Sequence, residues 1–209
     1  MKKIVSILLS LSIIFSISIT AFASEASNSV PEDKILVLPD VKVGQTLKIP
    51  VGDAEYIDDG RGNIIKISDL MSFDSQAEAN NYIDNLLNDK PIKYNPTISF
   101  APIKRATHGD VIVARQSVAT GSINLGVVYT TSGDSHTGTI TSHEAYTTFT
   151  GFTLGFGWDE SLCSSQITSS GKDIYAVAKG TLTYNLLVDG FIELGRKSVY
   201  LDGYCYAIH

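Results

Sequence analysis

The sequence predicts a mainly β protein: a C-terminal antiparallel β-sandwich or small barrel, preceded by a small region of short strands with one amphipathic helix. Three observations carry this. From Asp110 onward apolar residues recur with period two, as in SINLGVVYTT, where Ile123, Leu125, Val127 and Tyr129 share one parity. Asp189-Gly190 separates two alternating runs, a strong short-range hairpin signal. Only one segment, behind Ser75, carries helical periodicity.

Taken in order, the chain starts with Lys2 and Lys3, then an apolar run from Ile4 to Ile19 broken by five serines, then Ala21-Phe22-Ala23. A basic start, a short apolar stretch and a small-x-small end predict a secretory leader, residues 1–23, cut after Ala23. A membrane anchor would need a longer and more strongly apolar run. Residues 24–34, SEASNSVPEDK, are polar and read as a disordered tether.

Residues 35–90 are expected to form a small α+β region. Alternation around Leu47 and Ile49 suggests short strands, with Pro39 and Pro50 excluding a central one. Ser75-Gln76-Ala77-Glu78 matches a capping box. Behind it Ala79, Tyr82, Ile83, Leu86 and Leu87 make one apolar stripe, with Phe73 placed to pack back on it. Residues 91–109 hold three prolines and are expected as a linker. Lys104-Arg105 within it suggests a processing site, in which case residues 24–105 are a pro-segment. A pair of solvated loop charges is the simpler reading.

The β-sandwich is placed at 110–209. SGDSHTG, residues 132–138, reads as a hairpin loop. After it, even positions Ile140, Tyr146, Phe152, Leu154 and Phe156 are apolar and are expected on the buried face. In KDIYAVAKGTLTYNLLVD the even positions from Ile174 to Val188 form another such face. Asp202-Gly203 is read as a further turn or a bulge.

Composition narrows the function. Without Lys2 and Lys3 the 16 basic residues become 14, against 22 acidic ones, a formal charge of −8. A chain this acidic, with no basic cluster, is poorly suited to nucleic acid or to anionic lipid. Cys163 and Cys205 are expected to pair in oxidising surroundings, although two buried thiols would fit the sequence too.

Sites are weakly marked. Asp134, His136, His143 and Glu144 are considered as metal ligands, but the spacing fits no compact zinc site. Asp53, Glu55, Asp58, Asp59 and Asn63 offer oxygens for calcium but depart from the EF-hand loop, so a solvated turn is expected. Neither metal nor cofactor is assigned. Ser135-His136 and Ser142-His143 are adjacent pairs whose members point to opposite faces, and no G-x-S-x-G occurs, so no catalytic residue is assigned. Asp159-Glu160 beside Trp158 does not by itself establish glycosidase chemistry. Tyr200, Tyr204 and Tyr206 share one parity and would suit a glycan, with packing preferred.

The layout is that of a bacterial exported protein, a likeness of organisation only. The expectation is a secreted, non-enzymatic binding module for an envelope or extracellular ligand. The alternatives are a processed pore-forming toxin inserting residues 122–156, and an extracellular hydrolase.

Overall fold

The computed structural model describes residues 30–88, 90–98, 106–118, 120–133, 138–152 and 154–207. Ala23, Lys104, Arg105, Asp134 and His136 lie outside them. By contacts the chain divides into Met1–Asp33 and Lys34–His209, and every strand belongs to the second unit.

The fold is mainly β, with antiparallel sheets in a sandwich-like arrangement. Short strands come first: β1 (Ile35–Val37), β2 (Thr46–Pro50), β3 (Tyr56–Asp58), β4 (Ile64–Lys66) and β5 (Ser72–Phe73). Helix α1 (Gln76–Asn88) follows, then β6 (Ile92–Lys93) and β7 (Thr97–Ile98). Six long strands complete the chain: β8 (Thr107–Val118), β9 (Thr120–Ser132), β10 (Thr139–Phe152), β11 (Phe156–Ile167), β12 (Ile174–Val188) and β13 (Phe191–Ala207).

These strands build two facing sheets, in the orders β10-β9-β8-β6 and β11-β12-β13-β2, and a small sheet β1-β3-β4. The parity read from the sequence decides what lies between the facing sheets. Ile123, Leu125 and Val127 of β9 meet Ile174, Ala176, Ala178 and Leu182 of β12 in one core, all at most 2% exposed. At Asp189-Gly190 both residues adopt left-handed backbone and Val188 pairs with Phe191, as a two-residue hairpin requires.

With 15 and 17 residues, β12 and β13 run about 50 Å, longer than the facing sheet covers. Their lower half is therefore covered by other elements on both faces. On the inner face α1 packs Ala79 and Ile83 against Tyr184, Leu186 and Val188. The Ser75 hydroxyl accepts the Glu78 N–H at 3.3 Å, one half of the capping box. Phe73 sits 5.2 Å from the Tyr82 ring, so the residue ahead of the cap does fold back onto the helix. On the outer face the small sheet buries Leu38, Val41, Ile57 and Ile67 against Ile192 and Leu194.

Two of the short N-terminal strands, β2 and β5, thus pair into the sandwich. β2 adds to β13 as an edge strand, and Pro50, lacking an N–H, sits at its end opposite Phe191. Residues 91–109, read as a linker, carry β6 paired with β8 and β7 paired with β13.

Three expectations are corrected. The parity of β10 inverts after Ile140, because Thr141 is an extra residue in the register: Ile140 pairs with Thr131 but Ser142 pairs with Thr130. His143, Ala145, Thr147 and Phe149 therefore share the core-facing side with their partners Tyr129, Val127, Leu125 and Ile123, while Tyr146 lies on the other face. Asp202-Gly203 is neither turn nor bulge but continuous strand opposite Val177 and Ala176. Glycine is needed there because β8 crosses close by, and a Cβ would stand 2.7 Å from the Val113 carbonyl oxygen.

The third correction is the disulfide. Cys163 and Cys205 are both free thiols. Cys163 aligns across β12 with Ala178 and then with Leu201 on β13, four residues from Cys205. Two strand spacings and four residues put them roughly 16 Å apart, whereas a bridge needs Cα atoms within about 7 Å.

Candidate functional site

Side chains with chemistry gather in three places. The first is the seam between edge strands β10 and β11. The bulge at Thr141 turns His143 inward, where its Nδ1 lies 2.8 Å from the Ser165 hydroxyl. Nearby, Thr147 donates to Glu160 Oε2 at 2.5 Å and accepts the Trp158 indole N–H at 3.0 Å. Burial, ahead of the Glu160 charge, pushes the Cys163 thiol up to about 11, so it stays protonated and a poor nucleophile at neutral pH.

A histidine bonded to a serine is the first part of a nucleophile–base pair. Here Glu144 sits on the opposite side of β10 from His143, and Glu160 is engaged by Thr147. The same geometry bears on residues 122–156 as an inserting hairpin: one side holds His143 and Thr147, the other Asn124, Glu144 and Thr148. Neither side is continuously apolar.

The second place is the β3–β4 turn and the cleft beneath it. Of the calcium candidates, Asp58 and Asp59 spend oxygens on the turn itself. Asp58 Oδ1 accepts the Gly60 N–H, and Asp59 Oδ1 accepts those of Arg61 and Asn63. Asp59 Oδ2 takes the Asn63 side-chain amide at 2.9 Å, Glu55 pairs with Lys34 at 3.7 Å, and Lys34 also reaches the Asp53 carbonyl. Among the described residues no three His, Cys, Asp or Glu are grouped to hold a cation.

This turn sends Arg61 across the outer face of β11. Its guanidinium lies over Gly157, where any Cβ would overlap it, and donates to Asp159 and to Thr183, each at 2.6 Å. Arg196 on β13 pairs with Asp40 at 2.7 Å. Between the two arginines is a cleft of about 170 Å³ that Asn185 also lines. Asn185 is 6% exposed, and its side-chain oxygen has no hydrogen-bond partner among the described residues.

The third place is the upper outer face of β12 and β13, which no other layer covers among the described residues. Tyr200, Tyr204 and Tyr206 are 47%, 38% and 42% exposed. The expectation preferred packing, and the rings do pack, but on one another at the surface. Tyr204 and Tyr206 stack at 5.6 Å with planes 17° apart, and Tyr175 from β12 lies 4.8 Å from Tyr204. The Tyr175 and Tyr200 hydroxyls are 3.2 Å apart. That bond, ahead of burial, pushes the Tyr175 phenol up to about 12. Lys179 sits over the Tyr200 ring at 5.6 Å, and Asp202 pairs with Lys93 at 2.6 Å.

Sequence reasoning named three of these tyrosines and missed Tyr175, although its odd position, out of phase with the buried even face, was a usable signal. It missed Arg61, Asn185 and Arg196, which no local motif joins. Among the described residues no helix is long and apolar enough to cross a membrane. No protein-family model, curated protein or solved structure matches this chain.

Proposed function

We propose that this chain is an exported, non-enzymatic binding module that holds a polysaccharide of the cell envelope or its surroundings on the tyrosine face of β12 and β13. The observation that carries the reading is the exposed, mutually packed set Tyr175, Tyr200, Tyr204 and Tyr206. Contiguous exposed aromatics on a soluble domain mark an interaction surface. Their mutual contacts fix the rings in advance, so little side-chain freedom is lost when a ligand arrives.

Chemistry favours a glycan. A sugar ring has C–H-rich faces that lie against an aromatic ring, and hydroxyls at its edge that need donors and acceptors together. The tyrosine hydroxyls, Lys179, Asp202 and Gln166 supply both kinds around the rings. A leader at the start of the chain, as the sequence suggests, would bring the module to such ligands.

The test is co-sedimentation of the purified protein with isolated cell walls, intact cells and liposomes in parallel. Pelleting with walls or cells that falls at least tenfold in Tyr204→Ala/Tyr206→Ala supports the reading. Pelleting with liposomes alone would replace it with the pore-forming reading. Wall binding indifferent to the double substitution would move the site off this face.

A further inference from the structure

We infer that the Arg61–Asn185–Arg196 cleft is a second part of the same site and takes the terminal, uncharged sugar ring of a glycan chain lying on the tyrosines. This inference rests on the proposed function and deepens it by naming the ligand's charge and the end it presents.

The cleft and the tyrosines belong to one surface. Thr183 and Asn185 have the same parity on β12 as Tyr175 and Lys179, and Arg196 the same parity on β13 as Tyr200 and Tyr204. From the Thr183–Arg196 row to the Tyr175–Tyr204 row is eight residues, about 26 Å of extended strand. Thr181 and Ser198 pair between the cleft and the Lys179–Tyr200 row, where the aromatic platform begins, so that step of the path is polar and carries no bulky side chain. A track of that length holds several rings in line. Beyond Asn185 the face is closed, because the small sheet covers it with Leu38 and Val41 packed on Leu194. A chain running along the track must therefore stop at the cleft.

The cleft suits one ring. At about 170 Å³ it is smaller than the ~300–1,000 Å³ of ordinary ligand pockets. Leu38 and Val41 offer it apolar contact. The unpartnered Asn185 oxygen needs a donor, because a buried acceptor left without one has lost its bond to water and gained none in return. A hydroxyl donates to that oxygen while accepting from an arginine, which neither a carboxylate nor an ammonium can do. Charge points the same way. Both arginines already hold carboxylates, Asp159 and Asp40, so an anionic ligand would compete with those pairs and a neutral polyol would not.

The experiment is titration of the full chain with cellohexaose, chitohexaose and maltohexaose, followed by calorimetry, for wild type, Asn185→Leu, Arg61→Met and Tyr204→Ala, with thermal melts of each. At least one hexasaccharide should bind, and each substitution should weaken it tenfold or more. Asn185→Leu should melt no lower than wild type, because it removes an unsatisfied buried acceptor, so its loss of binding cannot be attributed to unfolding. If Asn185→Leu and Arg61→Met bind as wild type while Tyr204→Ala does not, the platform stands and the cleft inference is overturned. If a hexasaccharide binds and Tyr204→Ala has no effect, the joint track falls with the platform. Binding of none of the three sugars, with wall pelleting intact, overturns the neutral-ring assignment and leaves the module reading standing.

Discussion

Raising the pH should selectively cost this protein the stability that its buried Cys205 thiol contributes. Cys205 is fully buried, packed with Ile174 and Leu201 between the sheets, and burial pushes its thiol from the ordinary 9.0 up to about 12. The folded chain therefore keeps the proton where the unfolded chain gives it up. The contribution is complete below pH 9 and falls as pH rises toward 12. Between pH about 7.5 and about 10.5 the unfolded thiol gains roughly one and a half units of ionisation free energy, or about 2 kcal/mol at 1.36 kcal/mol per unit. Tyrosines titrate in the same window, so wild type is compared with Cys205→Ala, in which every other group is shared. Urea unfolding at the two pH values, followed by the fluorescence of Trp158, the single tryptophan, gives both stabilities. The stability advantage of wild type over the variant should shrink by about 2 kcal/mol at the higher pH. An unchanged difference would refute the reasoning; a Cys163–Cys205 bridge would instead make the advantage grow, since no wild-type thiol would titrate while the Cys163 thiol freed in the variant would.

Other predictions follow from the packing. Leu186→Ala, in the core under α1 and fully buried, should lower stability by about 2–5 kcal/mol, measured by urea unfolding. Ser75→Ala removes the acceptor for the Glu78 N–H and should cost about 0.5–2 kcal/mol, whereas Ser75→Asp should recover most of it. Gly180→Ala would drive a Cβ into the Trp158 ring and toward the Asp159 carbonyl, and should destabilise by about 1–3 kcal/mol with a shifted tryptophan emission. A thiol reagent on unreduced, denatured protein should label both cysteines, while on native protein Cys163 should react before the fully buried Cys205.

Much of the fold was legible because side-chain alternation is a local property. The faces Ile123–Tyr129 and Ile174–Val188 were readable residue by residue, since a strand places every second side chain on one side whatever it packs against. The Asp189-Gly190 turn and the Ser75 cap were readable for the same reason: each is settled within four residues. What failed involved a count or a distance. A single extra residue at Thr141 inverts everything after it, and nothing in TITSHEAY marks which residue bulges. Two cysteines in one chain say nothing of the strand that lies between them.

Local chemistry is enough to make the chain mainly β, to place the alternation of its long strands and to start its one described α-helix, because propensity, periodicity and capping act between neighbours. The tertiary structure alone decided which faces are covered. It laid the small N-terminal sheet over Thr183 and Asn185, polar residues that alternation placed on a wet face, and stopped short of Tyr175 and Tyr204 on the same strands. That choice turns one uniform sheet face into a cleft at one end and an aromatic surface at the other. It depends on β2 reaching β13 across more than 140 residues of chain, a pairing that long-range burial selects and no local pattern encodes.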